Sequence, residues 1–239
     1  MKISIVIPAL NEEAGIEAVL KQIPREKLHE AGYETEVIVV DNGSEDRTAE
    51  IARANGATVI SQCERGYGNA YKEGFKNATG DIVVTGDADM TYPFDRTLEL
   101  VEYLLGNDLE FLSTNRLEKL NPGLMAHIHA LGTFVLTKIM NAFFSCPFRD
   151  SQSGMWIFKR YVWEAISVES PGMPFSQEIK IEAFTNGFRC AEVPIEYRQR
   201  VGESKLDTLY DGWDVFKQLM HRGLNKRKKK LSNFKNLFL

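Results

Sequence analysis

The sequence predicts an α/β protein in which helices flank a mostly parallel central sheet. Short apolar runs rich in β-branched residues alternate with helical stretches from residue 3 to residue 113, and parallel strands joined by helices produce this alternation. Residues 82–84 are all apolar and β-branched, as expected for a strand buried on both faces. With 239 residues, of which 44% are hydrophobic, the chain can bury one sizeable core.

Five strands and four helices are predicted in the first half of the chain. The strands lie at residues 3–7, 36–40, 57–61, 82–85 and 109–113. A first helix opens with two acids at residues 12 and 13, keeps its apolar residues at helical spacing and ends near Gly32. Ser44 is predicted to cap a helix over residues 45–55. The other helices cover residues 70–77, after a glycine-bearing loop at residues 65–70, and residues 95–105.

The second half contains a long helix that ends near Phe144. Its apolar stripe steps by three or four residues and consists of Leu124, Ile128, Leu131, Val135 and Ile139. Core packing is the favoured explanation of this stripe, and a helix lying partly on a membrane surface is the alternative. Strands are predicted at residues 155–159 and 189–197, with a helix at 176–186 between them. A last helix starts at residue 207 and ends in a basic run.

Positive charge is concentrated at the end of the chain. Residues 215–239 contain eight Lys or Arg and no acid, which leaves 21 basic against 33 acidic residues elsewhere. An acidic body argues against nucleic acid as a partner, whereas the basic tail could meet an anionic surface. We therefore predict a main domain at residues 1–210 and a basic, amphipathic helical tail at residues 211–239.

Location is predicted from three further features. No stretch approaches the ~20 apolar residues that a membrane span needs. The first residues are interrupted too early by Asn11 and the acids after it to form a signal peptide. Three scattered cysteines lack metal-site spacing and predict reduced thiols in the cytosol.

Asp87 and Asp89 follow the strand at residues 82–85 and are separated by one small residue. Alternate residues of an extended chain point to the same side, and open α/β sheets bind ligands beyond the carboxyl ends of their strands. Two adjacent carboxylates repel each other unless a cation lies between them. Mg²⁺ or Mn²⁺ held together with diphosphate oxygens satisfies this requirement. A solvated turn is the alternative for the pair taken alone.

Six short motifs occur in order along the chain. They are VIPALNE at 6–12, VVDNGSED at 39–46, GYGNA at 66–70, GDAD at 86–89, DSQSG at 150–154 and RVGESKL at 200–206. Together they resemble the inverting glycosyltransferases of family 2, which have a GT-A fold. Within that family the sequence looks most like the polyprenyl-phosphate, or dolichol-phosphate-type, sugar synthases. The resemblance covers residues 3–210.

The resemblance implies a nucleotide site and a metal site. The residues expected to bind the nucleotide are Pro8, Ala9, Asn11, Glu12, Asp41, Gly66 and Asp87. Asp87 and Asp89 carry over as the pair that binds Mg²⁺ or Mn²⁺. Related enzymes often have a glutamine where this chain has Thr91, so Thr91 is the expected third metal contact, with water as its alternative.

The resemblance also implies the catalytic residues. Arg116, Arg200 and Lys205 are expected to attract an anionic acceptor, and the flexible segment after Arg200 would let its loop close over the site. Asp150 occupies the position of the family's catalytic carboxylate. It would act as a general base for a hydroxyl acceptor, or would position cations or the sugar if the acceptor is a phosphate.

The expected function is metal-dependent transfer of a hexose, with inversion, from a nucleoside diphosphate to polyprenyl or dolichyl phosphate. UDP-sugar is favoured as the donor, and GDP-mannose is the other candidate. The protein would lie at the cytosolic face of a membrane, attached peripherally through its tail or through a membrane partner. The alternatives are transfer to a glycan hydroxyl and a non-catalytic module that binds nucleotide sugars, the latter suggested by Thr91.

Overall fold

A seven-stranded, mostly parallel sheet lies at the centre of the computed structural model, which describes residues 1–121, 123–125, 127–203, 205 and 208–236. The strands are β1 Lys2–Ala9, β2 Glu34–Asp41, β3 Thr58–Ser61, β4 Ile82–Thr85, β5 Phe111–Asn115, β6 Trp156–Lys159 and β7 Cys190–Pro194. The helices are α1 Ile16–Gln22, α2 Arg25–Glu30, α3 Thr48–Ala54, α4 Tyr67–Asn77, α5 Thr97–Gly106, α6 His127–Phe144, α7 Arg160–Ala165, α8 Phe175–Thr185 and α9 Thr208–Asn236, with a 3₁₀ turn at Phe94–Arg96.

The strand order is β3-β2-β1-β4-β6-β5-β7. All neighbouring strands run parallel except β6, which is antiparallel to both β4 and β5. This arrangement confirms the predicted mostly parallel sheet flanked by helices. The order along the sheet reverses beside β1 and β4, and open α/β sheets place ligands at such a switch point.

Alternating side chains of the central strands enter two apolar cores. Ile5 and Ile7 of β1 join α1, α3 and α5 in one core, whereas Val6 joins α4, α6, α8 and α9 in the other. The second core is rich in aromatic rings, including Tyr71 of α4, which lies 5.1 Å from the ring of Trp156. Both faces of the sheet are therefore covered, which explains why its central strands are apolar throughout.

The predicted single helix at residues 11–32 is wrong, because the chain forms two short helices there. Ile23 is extended, with a ψ of 118°, and Pro24 separates α1 from α2. A proline disfavours helical geometry in the residue before it. Residues 11–15 precede α1, and Asn11 has a positive φ of 51°.

The predicted cap at Ser44 is also wrong, because α3 begins later than expected. The hydroxyl of Ser44 accepts a hydrogen bond from the backbone N–H of Asn11 at 3.0 Å. Asp46 accepts a bond from the backbone N–H of Thr48, the first residue of α3, at 2.9 Å. Ser44 thus joins the loops after β1 and β2. The carboxylate of Asp46 accepts the first backbone N–H of α3.

The favoured explanation of the stripe on α6 is wrong, because most of it faces solvent. Ile128, Leu131 and Val135 are 61%, 64% and 46% exposed. The buried residues of α6 are Thr133, Thr137, Met140 and Phe144. The helix therefore packs through a face that contains two threonines, and it leaves an apolar face that the described residues do not cover.

The final helix α9 packs against α6 and α8. Val215 and Leu219 are buried, and Arg222 forms ion pairs with Glu178 and Glu182 of α8. Among the described residues, no helix has both the length and the apolar character needed to cross a membrane. Leu237 and Phe238 of the predicted amphipathic tail, and Ser204 and Leu206 of the sixth motif, lie outside the described residues. The division at residue 210 stays a prediction.

The carboxylate of Glu36 joins three segments at the amino-terminal edge of the sheet. It accepts hydrogen bonds from Ser4 Oγ at 2.5 Å and from the backbone N–H of Thr79 at 2.7 Å, and it pairs with Lys2 Nζ at 2.6 Å. Burial alone would raise the pKa of Glu36, but these bonds outweigh it and lower the pKa to about 2.

We expect Glu36→Gln to lower the free energy of unfolding at neutral pH by about 1–2 kcal/mol, since charge-assisted bonds are lost. The folded pKa lies below the ordinary value of 4.5, so this stabilisation is complete above 4.5 and disappears as the pH falls towards 2. Urea denaturation of both proteins across this range measures the difference. A difference that stays constant down to the lowest pH would contradict this account.

Candidate active site

The carboxyl ends of the parallel strands meet at one edge of the sheet. In register, Ala9 lies beside Asp41 and Asp41 beside Ser61, while Val6 lies beside Thr85. The loops after β1, β2 and β4 therefore emerge together. This register brings the first, second and fourth sequence motifs to one place.

A cavity of about 300 Å³ opens at this edge. Eight of the predicted site residues line it, namely Pro8, Ala9, Glu12, Gly66, Asp87, Asp89, Arg200 and Lys205. The lining also includes Asn42, Gly172 and Met173, which the sequence analysis did not assign to the site. Segments almost 200 residues apart in sequence thus surround one cavity.

The two acids after β4 differ in their surroundings. Asp89 is buried, and its Oδ1 accepts bonds from the backbone N–H and the hydroxyl of Thr91 at 3.0 and 2.5 Å. Asp87 is half-buried, and its Oδ1 accepts a bond from the hydroxyl of Tyr67 at 3.0 Å. Removal from water raises the pKa of Asp87 to about 7, and the charge of Asp89 adds to this rise. The pair consequently favours a bound cation.

Two cations from the loop after β7 lie at this cavity, Arg200 against Asp89 and Lys205 against Glu12. Arg200 Nη1 lies 2.6 Å from Asp89 Oδ2. Lys205 Nζ donates to the carbonyl oxygen of Asn11 at 2.7 Å and lies 3.2 Å from Glu12 Oε1. The loop therefore spans the cavity from the acid pair to the loop after β1.

Glu12 has an acceptor that no described residue satisfies. Its Oε2 is buried and has no hydrogen-bond partner within the part of the chain that the structure describes, while burial raises the pKa of the carboxyl despite the nearby Lys205. A buried acceptor without a donor is costly. A ligand that donates a hydrogen bond to this oxygen would remove the cost, so Glu12 suits a hydroxyl or amide donor of a bound molecule.

Asp87 and Asp89 fit a divalent metal ion of the Mg²⁺ class. Both offer hard oxygen ligands, and Asp89 already attracts the positive charge of Arg200. The described residues include no cluster of three or more His, Cys, Asp or Glu that could hold a metal. Mg²⁺ is commonly bound through one or two carboxylates plus phosphate oxygens, and this set of donors corresponds to that mode.

Thr91 lies behind Asp89. It is buried, and its hydroxyl is engaged as a donor to Asp89 Oδ1. Thr91 therefore holds one carboxylate oxygen of Asp89, while Arg200 contacts the other. The geometry thus gives Thr91 an orienting contact with Asp89, a predicted metal ligand, while direct ligation of a metal by Thr91 stays a prediction.

Asn11 and Asp41 do not line the cavity. Asn11 Oδ1 accepts a bond from the backbone N–H of Glu45 at 2.8 Å, and Asp41 Oδ1 accepts one from Ser44 at 3.0 Å. Both side chains therefore brace the surrounding loops. Their predicted contacts with the nucleotide stay predictions.

Asn42 belongs to the second motif but was not predicted as a site residue. Its Nδ2 donates to the carbonyl oxygens of Gln62 and Glu64, and its Oδ1 accepts from the N–H of Gly66 at 2.7 Å. Asn42 therefore holds the glycine-bearing loop against the cavity. Its position directly after Asp41 in the second motif was the available signal, whereas Gly172 and Met173 lie in no motif.

Arg116 and Asp150 form a second, buried cluster. Arg116 Nε lies 2.8 Å from Asp150 Oδ2, and its Nη2 lies 3.0 Å from Oδ1. The backbone N–H groups of Arg116 and Gln152 each donate to the same carboxylate at 3.1 Å. Although burial alone would raise the pKa of Asp150, Arg116 outweighs it and holds the pKa below its usual range. A carboxylate with this geometry positions Arg116 and is poorly placed to accept a proton.

Lys180 and Glu192 complete this cluster, and neither was predicted as a site residue. Lys180 Nζ is fully buried and donates to the backbone carbonyl of Asp150 at 2.6 Å. Glu192 accepts from the backbone N–H groups of Arg149 and Asp150, both at 3.0 Å to Oε1. Burial lowers the pKa of Lys180 to about 8, against the opposing effect of Asp150 and Glu192. No motif marked these residues, because only the fold brings α8 and β7 to Asp150.

Gly154 lies between the acids of the cavity and the buried cluster of Arg116 and Asp150. A β-carbon at this position would collide with the hydroxyl of Tyr67 and would touch Asp87 and Tyr92. Tyr92 in turn packs its ring against Tyr197, over which Arg116 lies at 5.5 Å from the ring centroid. Arg116 is also among the groups that lower the pKa of Asp87. The site thus places two acids, a braced arginine and two loop cations around one region, an arrangement suited to bringing anions together.

Comparison with known proteins identifies related sequences. The family model described as Glycosyl transferase family 2 matches residues 4–166. The low-salt glycan biosynthesis hexosyltransferase Agl6 of Haloferax volcanii is 38% identical over 88% of this chain. This chain spans about half of that relative, 51% of its length. The dolichyl-phosphate hexose transferase of the same organism is 33% identical over 94% of this chain and 95% of its own length.

Solved structures share the fold. Glucosyl-3-phosphoglycerate synthase from Mycobacterium tuberculosis, in complex with Mn²⁺, UDP and glucosyl-3-phosphoglycerate, superimposes with a TM-score of 0.75. The two sequences are 27% identical, and the match covers 92% of this chain and 79% of that chain. The predicted GT-A fold is thereby confirmed.

We expect Arg200→Gln to raise the affinity of the nucleotide-free protein for Mn²⁺ about fivefold, because the arginine charge next to Asp89 repels the ion. Titration followed by electron paramagnetic resonance of free Mn²⁺ measures this affinity. Arg198→Gln is the matched control, since Arg198 lies in the same loop but pairs with Asp95 at 2.7 Å. Unchanged or weaker Mn²⁺ binding in the Arg200 variant would be incompatible with this geometry.

We expect Asp150→Asn to lower the free energy of unfolding by about 3 kcal/mol, because Arg116 would keep a buried charge without its anionic partner. Chemical denaturation measures the loss. Glu118→Gln serves as the control and should have little effect, since Glu118 pairs with the exposed Arg149. If both substitutions were equally mild, Asp150 would not anchor the cluster.

Proposed function

We propose a reaction for this chain from one premise: the chain belongs to glycosyl transferase family 2, and it is a glycosyltransferase. The proposed reaction moves a hexose from a nucleoside diphosphate to polyprenyl or dolichyl phosphate, with inversion at the anomeric carbon. A phosphate oxygen of the acceptor forms the new bond to this carbon while the bond to the nucleoside diphosphate breaks.

The observation that carries the proposal is the opposition of acids and cations across one cavity. Asp87 and Asp89 lie at the end of β4, and Arg200 and Lys205 approach from the loop after β7. Donor and acceptor in the proposed reaction are both anions, and they repel each other until cations are placed between them. Arg200 and Lys205 supply positive charge from one side of the cavity, and a cation held by Asp87 and Asp89 would supply it from the other.

The donor is proposed to lie along the loops after β1 and β2. Pro8 and Ala9 offer an apolar wall, and Glu12 offers an unsatisfied acceptor for a hydroxyl of the nucleotide. UDP is the favoured nucleotide, because the structurally similar synthase from Mycobacterium tuberculosis binds UDP. GDP-mannose remains the second candidate donor.

A divalent ion, Mg²⁺ or Mn²⁺, is the proposed cofactor, held by Asp87 and Asp89. When bound, it would neutralise the diphosphate and so ease its departure as a leaving group. Tyr67 and Thr91 hold the two carboxylates through hydrogen bonds. Arg200 would exchange its contact with Asp89 for one with phosphate oxygens, since both are oxygen anions that a guanidinium binds well.

The acceptor is proposed to be a lipid phosphate, in accordance with the dolichyl-phosphate hexose transferase among the relatives. An ionised phosphate needs no general base. All the hydrogen-bonding positions of the Asp150 carboxylate are directed at Arg116 or at backbone N–H groups. Asp150 would therefore position Arg116 for the acceptor phosphate, and this role supports a phosphate acceptor over a glycan hydroxyl.

The site is proposed to lie at a membrane surface, at the cytosolic face. The acceptor lipid resides in a bilayer, and the basic end of the chain is suited to an anionic leaflet, where each Lys or Arg contributes about 1 kcal/mol. The peripheral attachment and the membrane side are both part of the proposal.

The decisive assay measures hexose transfer by purified protein with UDP-glucose, UDP-N-acetylglucosamine or GDP-mannose and Mn²⁺. A water-soluble short-chain polyprenyl phosphate is expected to accept the sugar, whereas free sugars are not. Transfer to free sugars alone would favour the glycan-acceptor alternative, and nucleotide binding without turnover would favour the non-catalytic module.

We expect Asp89→Asn to reduce turnover with the productive donor by at least about 100-fold, because the variant loses one of the two charges that hold the metal. Asp95→Asn is the matched control, since Asp95 follows the same strand but pairs with Arg198. Full activity of Asp89→Asn would remove the metal site from the mechanism.

A further inference from the structure

The uncovered face of α6 presents four large apolar side chains. Ile128 is 61%, Leu131 64%, Phe134 51% and Val135 46% exposed. Their spacing of three, three and one residues places them on one side of the helix. Isolated exposed apolar residues are ordinary on protein surfaces, but a contiguous group of this kind marks an interaction site.

The opposite side of α6 is anchored to the active-site region. Thr137 Oγ1 donates to Ser151 Oγ at 2.9 Å and accepts from the backbone N–H of Ser151 at 3.0 Å. Ser151 directly follows Asp150, which holds Arg116. The apolar face is therefore the outer surface of a helix whose inner surface supports the proposed acceptor site.

The distribution of charge around α6 indicates which kind of surface this face can bind. The sequences of α6 and of residues 215–236 contain nine Lys or Arg and no acid, whereas the rest of the chain has 20 basic and 33 acidic residues. The two helices pack together, since Phe143 of α6 lies against Gly223 of α9 and Lys226 Nζ lies 5.0 Å from the ring centroid of Phe144. Lys138 Nζ lies 5.1 Å from the ring of Phe134, within the apolar face itself.

We propose that the face of α6 formed by Ile128, Leu131, Phe134 and Val135 docks onto an anionic lipid bilayer. The acidic remainder of the chain would be repelled by such a surface, so the helix pair α6 and α9 has to approach it first. Apolar side chains then enter the boundary between headgroups and acyl chains, as interfacial helices do, while lysines beside them contact the headgroups. This inference deepens the proposed function and rests on it in identifying the bilayer as the one that holds the acceptor.

The test compares full-length protein with the double variant Leu131→Gln, Phe134→Gln. Both changes leave the net charge unaltered, so they separate apolar insertion from electrostatic attraction. Binding is measured by flotation with vesicles of equal parts phosphatidylcholine and phosphatidylglycerol, and with vesicles of phosphatidylcholine alone. Tyr103→Gln on α5 is the matched control, because Tyr103 is also exposed, at 43%, but belongs to another helix.

We expect the wild-type protein and Tyr103→Gln to bind the anionic vesicles alike, and the double variant to bind them at least tenfold less with an unchanged melting temperature. Equal binding by the double variant, or no binding by the wild type, would overturn the proposal. A wild-type dimer that the double variant fails to form would also overturn it, because a second copy would then cover this face. Sedimentation equilibrium measures that state.

Transfer assays distinguish this inference from the proposed function. With the water-soluble short-chain lipid phosphate, the double variant should retain wild-type turnover, and with long-chain lipid phosphate in vesicles its turnover should fall in parallel with binding. If both acceptors fail with the wild type while vesicle binding depends on Leu131 and Phe134, the proposed acceptor is wrong and the docking face stands. If both acceptors react equally in both proteins, the docking face is wrong and the proposed function stands.

Discussion

The repulsion between Asp87 and Asp89 is the constraint on which the site depends. Both carboxylates emerge from the carboxyl end of β4, and the removal of Asp87 from water, together with the charge of Asp89, raises the pKa of Asp87 to about 7. Positive charge stabilises this arrangement, and the chain brings Arg200 to Asp89 at 2.6 Å. Hydrogen bonds from Tyr67 and Thr91 keep the acids in place. The same need for positive charge would attract a divalent ion and, through it, a diphosphate.

A second constraint acts on the buried charges beside this site. Arg116, Asp150, Lys180 and Glu192 leave water together, and each finds ionic or backbone partners within the cluster. Buried charges that lack partners are strongly destabilising, so the network ties β5, β7 and α8 into one rigid support. Its cost in desolvation is offset by holding the guanidinium of Arg116 in a fixed place. Such preorganised positive charge is what transfer between two anions requires.

The distribution of charged and apolar residues over the molecule agrees with the proposed reaction. The acid-free α6 and the helix α9, whose sequence is basic from residue 215 onward, pack together on one side of the sheet. Thr137 joins the inner side of α6 to Ser151, while its outer side carries exposed apolar residues. The helix that carries the exposed apolar face therefore also supports, through Ser151, the segment that holds Arg116.

The sequence by itself determined a mostly parallel sheet flanked by helices, the order of strands and helices along the chain and eight of the residues that line the cavity. Strand alternation and strand-end acids are local patterns, because the spacing of side chains along a strand follows from backbone geometry. Departures from the predicted elements can also have local causes. Pro24 ends the first helix at Gln22, whereas the predicted helix continued to Gly32. Only the tertiary structure decided that the stripe of α6 faces outwards, since apolar spacing alone does not say which partner covers a helix. It also decided that Lys180 and Glu192 support Asp150, because residues on α8, β7 and the loop after α6 meet only when the sheet has formed.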